Sequence, residues 1–222
     1  MTDTFEQAKR LHGKGLYTEA QALYAQVIEA NAQDAEALYL LGTLLAQRGR
    51  FDRALTFLER SVVESPKNPV YHCNLGVIQY NLRRFDEAKL SFLMAINLDH
   101  QNTDAQYNLA KLYKDLGLID EALHGYELVL SLDPKRSDAC VNLGNIYLDL
   151  GRTGDAIVKF KMAIELKPQD TRPLINLGNA FRRVGLANDA KSTYDRALKI
   201  KPHDGLRIKS AITLPVVYED VE

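Results

Sequence analysis

The chain has 222 residues, 46% hydrophobic and 26% charged, with a formal net charge of −1; these values fit a soluble folded protein and exclude binding to nucleic acid or membrane driven by bulk charge. No apolar run reaches the ~18 residues that span a bilayer, and Met1–Gln7 has no basic stretch followed by an apolar one, so neither membrane insertion nor a signal peptide is expected. Cys73 and Cys140 lack CxxC spacing and the five histidines lack paired-ligand spacing, which predicts a reducing, cytoplasmic compartment and no metal or other cofactor.

Taken in order, the chain repeats itself. Ala20, Ala54, Ala88, Ala122, Ala156 and Ala190 follow one another at a constant step of 34 residues. The first repeat, 1–34, is worn. It keeps Gly15, Tyr17, Ala20 and Tyr24, but Ala8 and Leu11 depart from the later pattern, as suits an end repeat with one neighbour. Asp3 followed by Glu6 predicts a cap on its first helix. Repeats two to six span 35–68, 69–102, 103–136, 137–170 and 171–204, each reading as two antiparallel helices joined by a short turn.

Punctuation recurs with the period. The first helices carry Leu41-Gly42, Leu75-Gly76, Leu109-Ala110, Leu143-Gly144 and Leu177-Gly178. A glycine inside a helix costs ~1 kcal/mol relative to alanine, so its recurrence predicts close approach of the partner helix at the small Ala54, Ala88, Ala156 and Ala190. A second glycine, Gly49, Gly117, Gly151 or Gly185, ends the first helix, with Arg83 in that place in repeat three, predicting a tighter or strained turn there. Pro66, Pro134, Pro168 and Pro202 stop the second helices. After Asp204, Ile208, Ala211 and Ile212 at helical spacing predict a capping helix, followed by a short tail ending at Glu222.

A 34-residue period that carries Leu-Gly, then Tyr, then Ala-x-x-x-Phe, then Pro, as Leu143-Gly144, Tyr147, Ala156, Phe160 and Pro168 do, resembles the tetratricopeptide-repeat (TPR) family. The resemblance covers residues 1–204. It implies an all-α, right-handed α-solenoid of six helix-turn-helix repeats plus the C-terminal capping helix at 205–222, with the first helices lining a concave groove.

Numbering each repeat from its first residue, positions 4, 8 and 11 hold packing residues, so positions 2, 5, 6, 9, 12 and 13 share another face. At position 6 stand Asn74, Asn108, Asn142 and Asn176, with Leu40 in repeat two. Asparagine is a mediocre helix former, costing roughly 0.5 kcal/mol against alanine, and its amide is both donor and acceptor. A ladder of amides suits pairing with the peptide groups of an extended chain, whatever its side chains. The same amides suit bonding to an adjacent repeat, and duplication alone would also copy them. Asn145 and Asn179 form a shorter second rung. Tyr80, Tyr107 and Lys111 share the face, and Arg182, with Arg172 and Arg183, belongs to a stretch from Thr171 to Lys209 with nine basic and three acidic residues.

The asparagine column is similar to the inner ladder of the TPR superhelix in O-linked N-acetylglucosamine transferases, which implies a hold on peptide backbone by Asn74, Asn108, Asn142 and Asn176. Gly205–Lys209 and Leu214–Val217 resemble the junction where bacterial TPR arrays enter a glycosyltransferase domain. No nucleophile, base and orienter come together at repeat spacing, so no catalytic residue is assigned. The leading expectation is a noncatalytic scaffold that binds an extended peptide segment of a partner protein in its groove. Two alternatives stay open: the substrate-recognition part of such a glycosyltransferase, and a self-assembling homo-oligomer joined through the C-terminal helix or tail.

Overall fold

A computed structural model describes residues 2–202, and every element among them is an α-helix. In chain order these are α1 (Thr2–Gly13), α2 (Tyr17–Ala30), α3 (Ala35–Gln47), α4 (Phe51–Glu64), α5 (Pro69–Asn81), α6 (Phe85–Leu98), α7 (Thr103–Asp115), α8 (Ile119–Leu132), α9 (Ser137–Asp149), α10 (Thr153–Leu166), α11 (Thr171–Arg183) and α12 (Ala187–Ile200). The expected capping helix lies outside the described residues. Five first helices, α3, α5, α7, α9 and α11, begin where the period places them, at 35, 69, 103, 137 and 171. The fold class is the all-α solenoid of stacked helix pairs.

The helices start for local reasons. The side chains of Asp34, Asn68, Asn102 and Asp170 accept hydrogen bonds from backbone N–H groups of the first turns of α3, α5, α7 and α11, satisfying donors that a helix N-terminus leaves open. The cap expected at Asp3 is not formed that way. Asp3 sits inside the first turn of α1, and Glu6 pairs with Lys9 at 2.6 Å instead. The first helices of repeats one, two, four, five and six end at Gly15, Gly49, Gly117, Gly151 and Gly185, all with φ of 71–77°. Arg83 holds the same left-handed conformation at φ 63°, where a side chain costs about 1–2 kcal/mol.

The chain divides into two compact units between Leu116 and Gly117. In the first, α1 pairs with α2, α3 with α4 and α5 with α6, and each pair packs on the next element in the chain. In the second, α9 pairs with α10 and α11 with α12, with α8 against α9 and α10 against α11. Neighbouring first helices also touch, α3 with α5, α5 with α7 and α9 with α11. That contact makes a continuous first-helix face within each unit.

The core extends the reason expected for the helix glycines. Ala54, Ala88, Ala156 and Ala190 are fully buried, but so is the residue four positions after each, Leu58, Phe92, Phe160 or Tyr194. A Cβ on Gly42 would lie 2.8 Å from the Leu58 side chain, on Gly76 2.7 Å from the Phe92 ring, and on Gly144 2.6 Å from the Phe160 ring. On Gly178 the Tyr194 ring is closer still. The alanine carbonyls stand slightly further away, 3.3 Å for Gly42 and 3.2 Å for Gly76. The glycines make room mainly for a large side chain one helical turn beyond the alanine.

Candidate functional site

In the first unit the face is built by α3, α5 and α7. Asn74 is half-buried, and its amide nitrogen donates to the Tyr39 hydroxyl at 3.2 Å and to the Val70 carbonyl one turn back at 2.9 Å. The Tyr39 ring is itself stacked on Tyr71, 4.4 Å between centroids and 18° apart. Asn108 makes the equivalent approach to the Cys73 sulfur, 3.9 Å away. Both bonds join position 5 of one repeat to position 6 of the next, 35 residues on. A second rung follows the same offset one heptad later. The Tyr80 hydroxyl donates to the Asp115 carboxylate, and His12 meets Gln47 at 3.0 Å, joining position 12 to position 13.

This rule has a simple cause. Adjacent first helices are packed together with a shift of one residue per repeat, so each side chain meets the residue one place further along its neighbour. Positions 5 and 12 are two turns apart on one side of the helix, and 6 and 13 are their counterparts on the next. Lys111 lies with its ammonium 4.4 Å above the Tyr80 ring, a cation–π contact. Burial, and then the bond to Asp115, push the Tyr80 hydroxyl up to about 12. Tyr107 is half-buried at position 5 of α7.

In the second unit α9 and α11 form the face. Position 5 of α9 is Val141, which is buried and has no polar atom to offer. Asn176 accordingly turns one helical turn along and donates to the Asn145 carbonyl oxygen at 2.9 Å. Asn179 accepts from the Tyr194 hydroxyl at 2.8 Å, so the amides of the shorter rung are both bonded inside the protein. Asn142 stands half-buried on α9. Of the three arginines grouped by sequence, Arg172 pairs with Asp170 at 2.6 Å and Arg183 donates to the Leu148 carbonyl at 2.9 Å, again from position 13 to position 12. Hydrogen bonding to Arg172 holds the Asp170 carboxyl below the usual range. Arg182 is exposed.

Sequence reasoning placed these residues on one helical face but did not find their partners. The pairing of Tyr39 with Asn74 and of Cys73 with Asn108 needs the one-residue shift between helices, and a face drawn on a single helix does not contain it. The only available signal was chemical: positions 5 and 6 both hold polar atoms in repeat three, and position 5 loses them in repeat five.

Profiles described as tetratricopeptide repeat match residues 5–69, 70–102, 103–136 and 171–204, and one described as TPR repeat matches 144–185. Over 88 residues the chain is 29% identical to the TPR repeat-containing thioredoxin TTL4 of Arabidopsis thaliana, a stretch that covers 40% of this chain and 13% of that protein. The solved structure of MamA is 26% identical and covers 72% of this chain and 94% of its own, with a TM-score of 0.66. YrrB, described as a TPR protein with an unusual peptide-binding site, is 21% identical and covers 85% of this chain and 97% of its own, with a TM-score of 0.64. No helix among the described residues is long and apolar enough to cross a membrane. Helix pairs at a 34-residue step and profile matches along most of the chain agree, and the protein belongs to the tetratricopeptide-repeat family.

Proposed function

We propose that this TPR scaffold is noncatalytic and holds an extended segment of a partner protein on its first-helix face. One observation carries the reading. The amide nitrogens of Asn74 and Asn176 donate to the neighbouring repeat and that of Asn108 approaches the Cys73 sulfur, while their carbonyl oxygens make no hydrogen bond among the described residues. Those internal bonds orient the oxygens, so each is a pre-set acceptor for a backbone N–H, which every residue but proline offers. Such recognition tolerates many side-chain sequences. The description of YrrB as peptide-binding supports this reading. Cys73 and Cys140 are both buried and form no disulfide among the described residues, which supports a reducing compartment such as the cytoplasm.

The test is the double variant Asn108→Ala with Asn142→Ala. Partner proteins retained by the wild type are identified, and their affinities are measured against both forms. A loss of about 1–3 kcal/mol with unchanged helix content is expected. Unaltered affinity for a partner that crosslinks to the first-helix face would assign the column to repeat packing alone.

A further inference from the structure

The first unit has a notch beside the asparagine column. Thr43, Ala46 and Gln47 of α3, Leu58 of α4, and Asn74, Val77 and Ile78 of α5 enclose about 150 Å³. Its cause is legible by comparing repeats. Position 12 holds Ala46 in repeat two, where later repeats carry Tyr80, Lys114, Leu148 and Arg182. The small side chain leaves a space in that column of the face. Leu58 and Ile78 are buried and form an apolar floor, Gln47 is tied to His12, and Asn74 stands in the wall.

We propose that this notch is a specificity pocket for one aliphatic side chain, leucine, isoleucine or methionine, of the bound segment; the proposal rests on the reading of the first-helix face as a peptide site. Three features select that ligand. The volume matches that of apolar cavities that take up a benzene-sized group, enough for a branched four-carbon side chain. The lining carbons of Ala46, Leu58, Val77 and Ile78 disfavour a charged group, which would lose its hydration there. The Asn74 amide, its nitrogen bound to Tyr39 and Val70, puts its carbonyl oxygen forward as the acceptor for the N–H of the residue whose side chain enters. The backbone bond would set position along the groove, and the notch would set identity at that position.

The probe is a displayed library of random twelve-residue peptides selected on the full chain. Wild-type selections are expected to converge on one aliphatic residue. Changing that residue to alanine in a selected peptide should weaken binding about tenfold, because most of its buried apolar surface is lost. Ala46→Leu, which fills the notch, should weaken the same peptide by a similar factor, and the two changes together should cost little more than either alone. Ala46→Tyr, the residue that repeat three carries at this position, serves as a second filler, with a thermal melt to show that each variant folds. Peptides that lose affinity on Asn108→Ala but not on either filler overturn the notch and leave the face intact. Peptides indifferent to all three variants, or none selected, overturn both readings.

Discussion

The two units solve one problem with different chemistry. Each must bond an asparagine at position 6 to the repeat before it. In the first unit the partners are a hydroxyl, Tyr39, and a thiol, Cys73, both at position 5. In the second, Val141 occupies position 5 and the partner becomes another carboxamide, Asn145, one turn away. The column is therefore kept at the same place in the sequence while its internal partner changes with the neighbour. The backbone fixes where each amide sits, and the facing side chain decides which way its nitrogen turns. The same holds beneath the face, where Gly42 makes room for a leucine and Gly144 and Gly178 for aromatic rings.

Substituting those glycines gives the largest expected effect. Alanine gains ~1 kcal/mol of helix propensity, but its Cβ would press into a fully buried ring, and overpacking costs about 1–3 kcal/mol. Gly178→Ala should be the most destabilising, a net loss of about 2 kcal/mol by urea unfolding, followed by Gly144→Ala. Gly42→Ala should cost the least of the four, because the crowded side chain is an aliphatic Leu58 and not a ring. Gly76→Ala tests whether the ring or the unit decides. It lies in the first unit yet faces Phe92, and should behave like Gly144→Ala; neutrality there would break the argument.

The amides come next. Asn176→Ala leaves the half-buried Asn145 oxygen without its donor and should cost about 1 kcal/mol. Asn74→Ala removes bonds to Tyr39 and Val70 and should cost a similar amount. Asn108→Ala loses only a long contact to sulfur, a weak acceptor, and should cost a few tenths of a kcal/mol. A double-mutant cycle on Asn145 and Asn176 should return a coupling of about 0.5–1 kcal/mol. An Asn108→Ala as costly as Asn176→Ala would mean that the sulfur contact bears more than geometry allows. The small expected cost at Asn108 also makes it the cleaner residue for the binding test, since lost affinity there would not reflect lost stability.

Much of the fold was legible because a period is a strong signal. A 34-residue step in alanine and proline located the helices, and Arg83 in a glycine place correctly marked a residue with positive φ. The missed details share a physical origin. The helix glycines were matched to the alanines because small residues suggest close approach, but the second helix presents the residue one turn later to the same spot. A helical projection puts Arg172 and Arg183 on the shared face, at positions 2 and 13, but contains neither the cap residue Asp170 nor the neighbouring helix's Leu148 carbonyl. The notch at Ala46 was visible only as an absence of bulk at position 12, and that becomes a cavity once α3, α4 and α5 are packed.

Relieving the turn at Arg83 should give a smaller effect of opposite sign. Arg83→Gly removes a left-handed side chain worth about 1–2 kcal/mol. It also raises the backbone entropy of the unfolded chain, which disfavours folding, and loses the guanidinium contact with Phe85, 5.6 Å from the ring centroid. A net gain of about 0.5 kcal/mol is expected, read as a rise in melting temperature. The same exchange in reverse, Gly151→Arg in the second unit, should destabilise. If both substitutions destabilise, the contact with Phe85 outweighs the strain.

The smallest effect is read by alkaline titration of tyrosines in both units. Burial pushes the hydroxyls of Tyr24 and Tyr80 up to about 12, both in the first unit. In the unfolded chain a tyrosine ionises near 10, so the folded protein binds these protons more tightly than the unfolded one. The stabilisation is therefore complete below pH 10 and is lost as pH rises from about 10 towards 12. Tyr80→Phe cannot ionise and should make the decline shallower, at the cost of the bond to Asp115 at neutral pH. Tyr147 in the second unit is also raised, by burial and then by its bond to Glu127, so Tyr147→Phe should flatten the curve as well. Urea unfolding across this range, with phenolate absorbance recorded in parallel, gives the slope for each form. Equal slopes for wild type and Tyr80→Phe would mean that the Tyr80 proton is held no more tightly in the fold than in water, and that its rung is open to solvent.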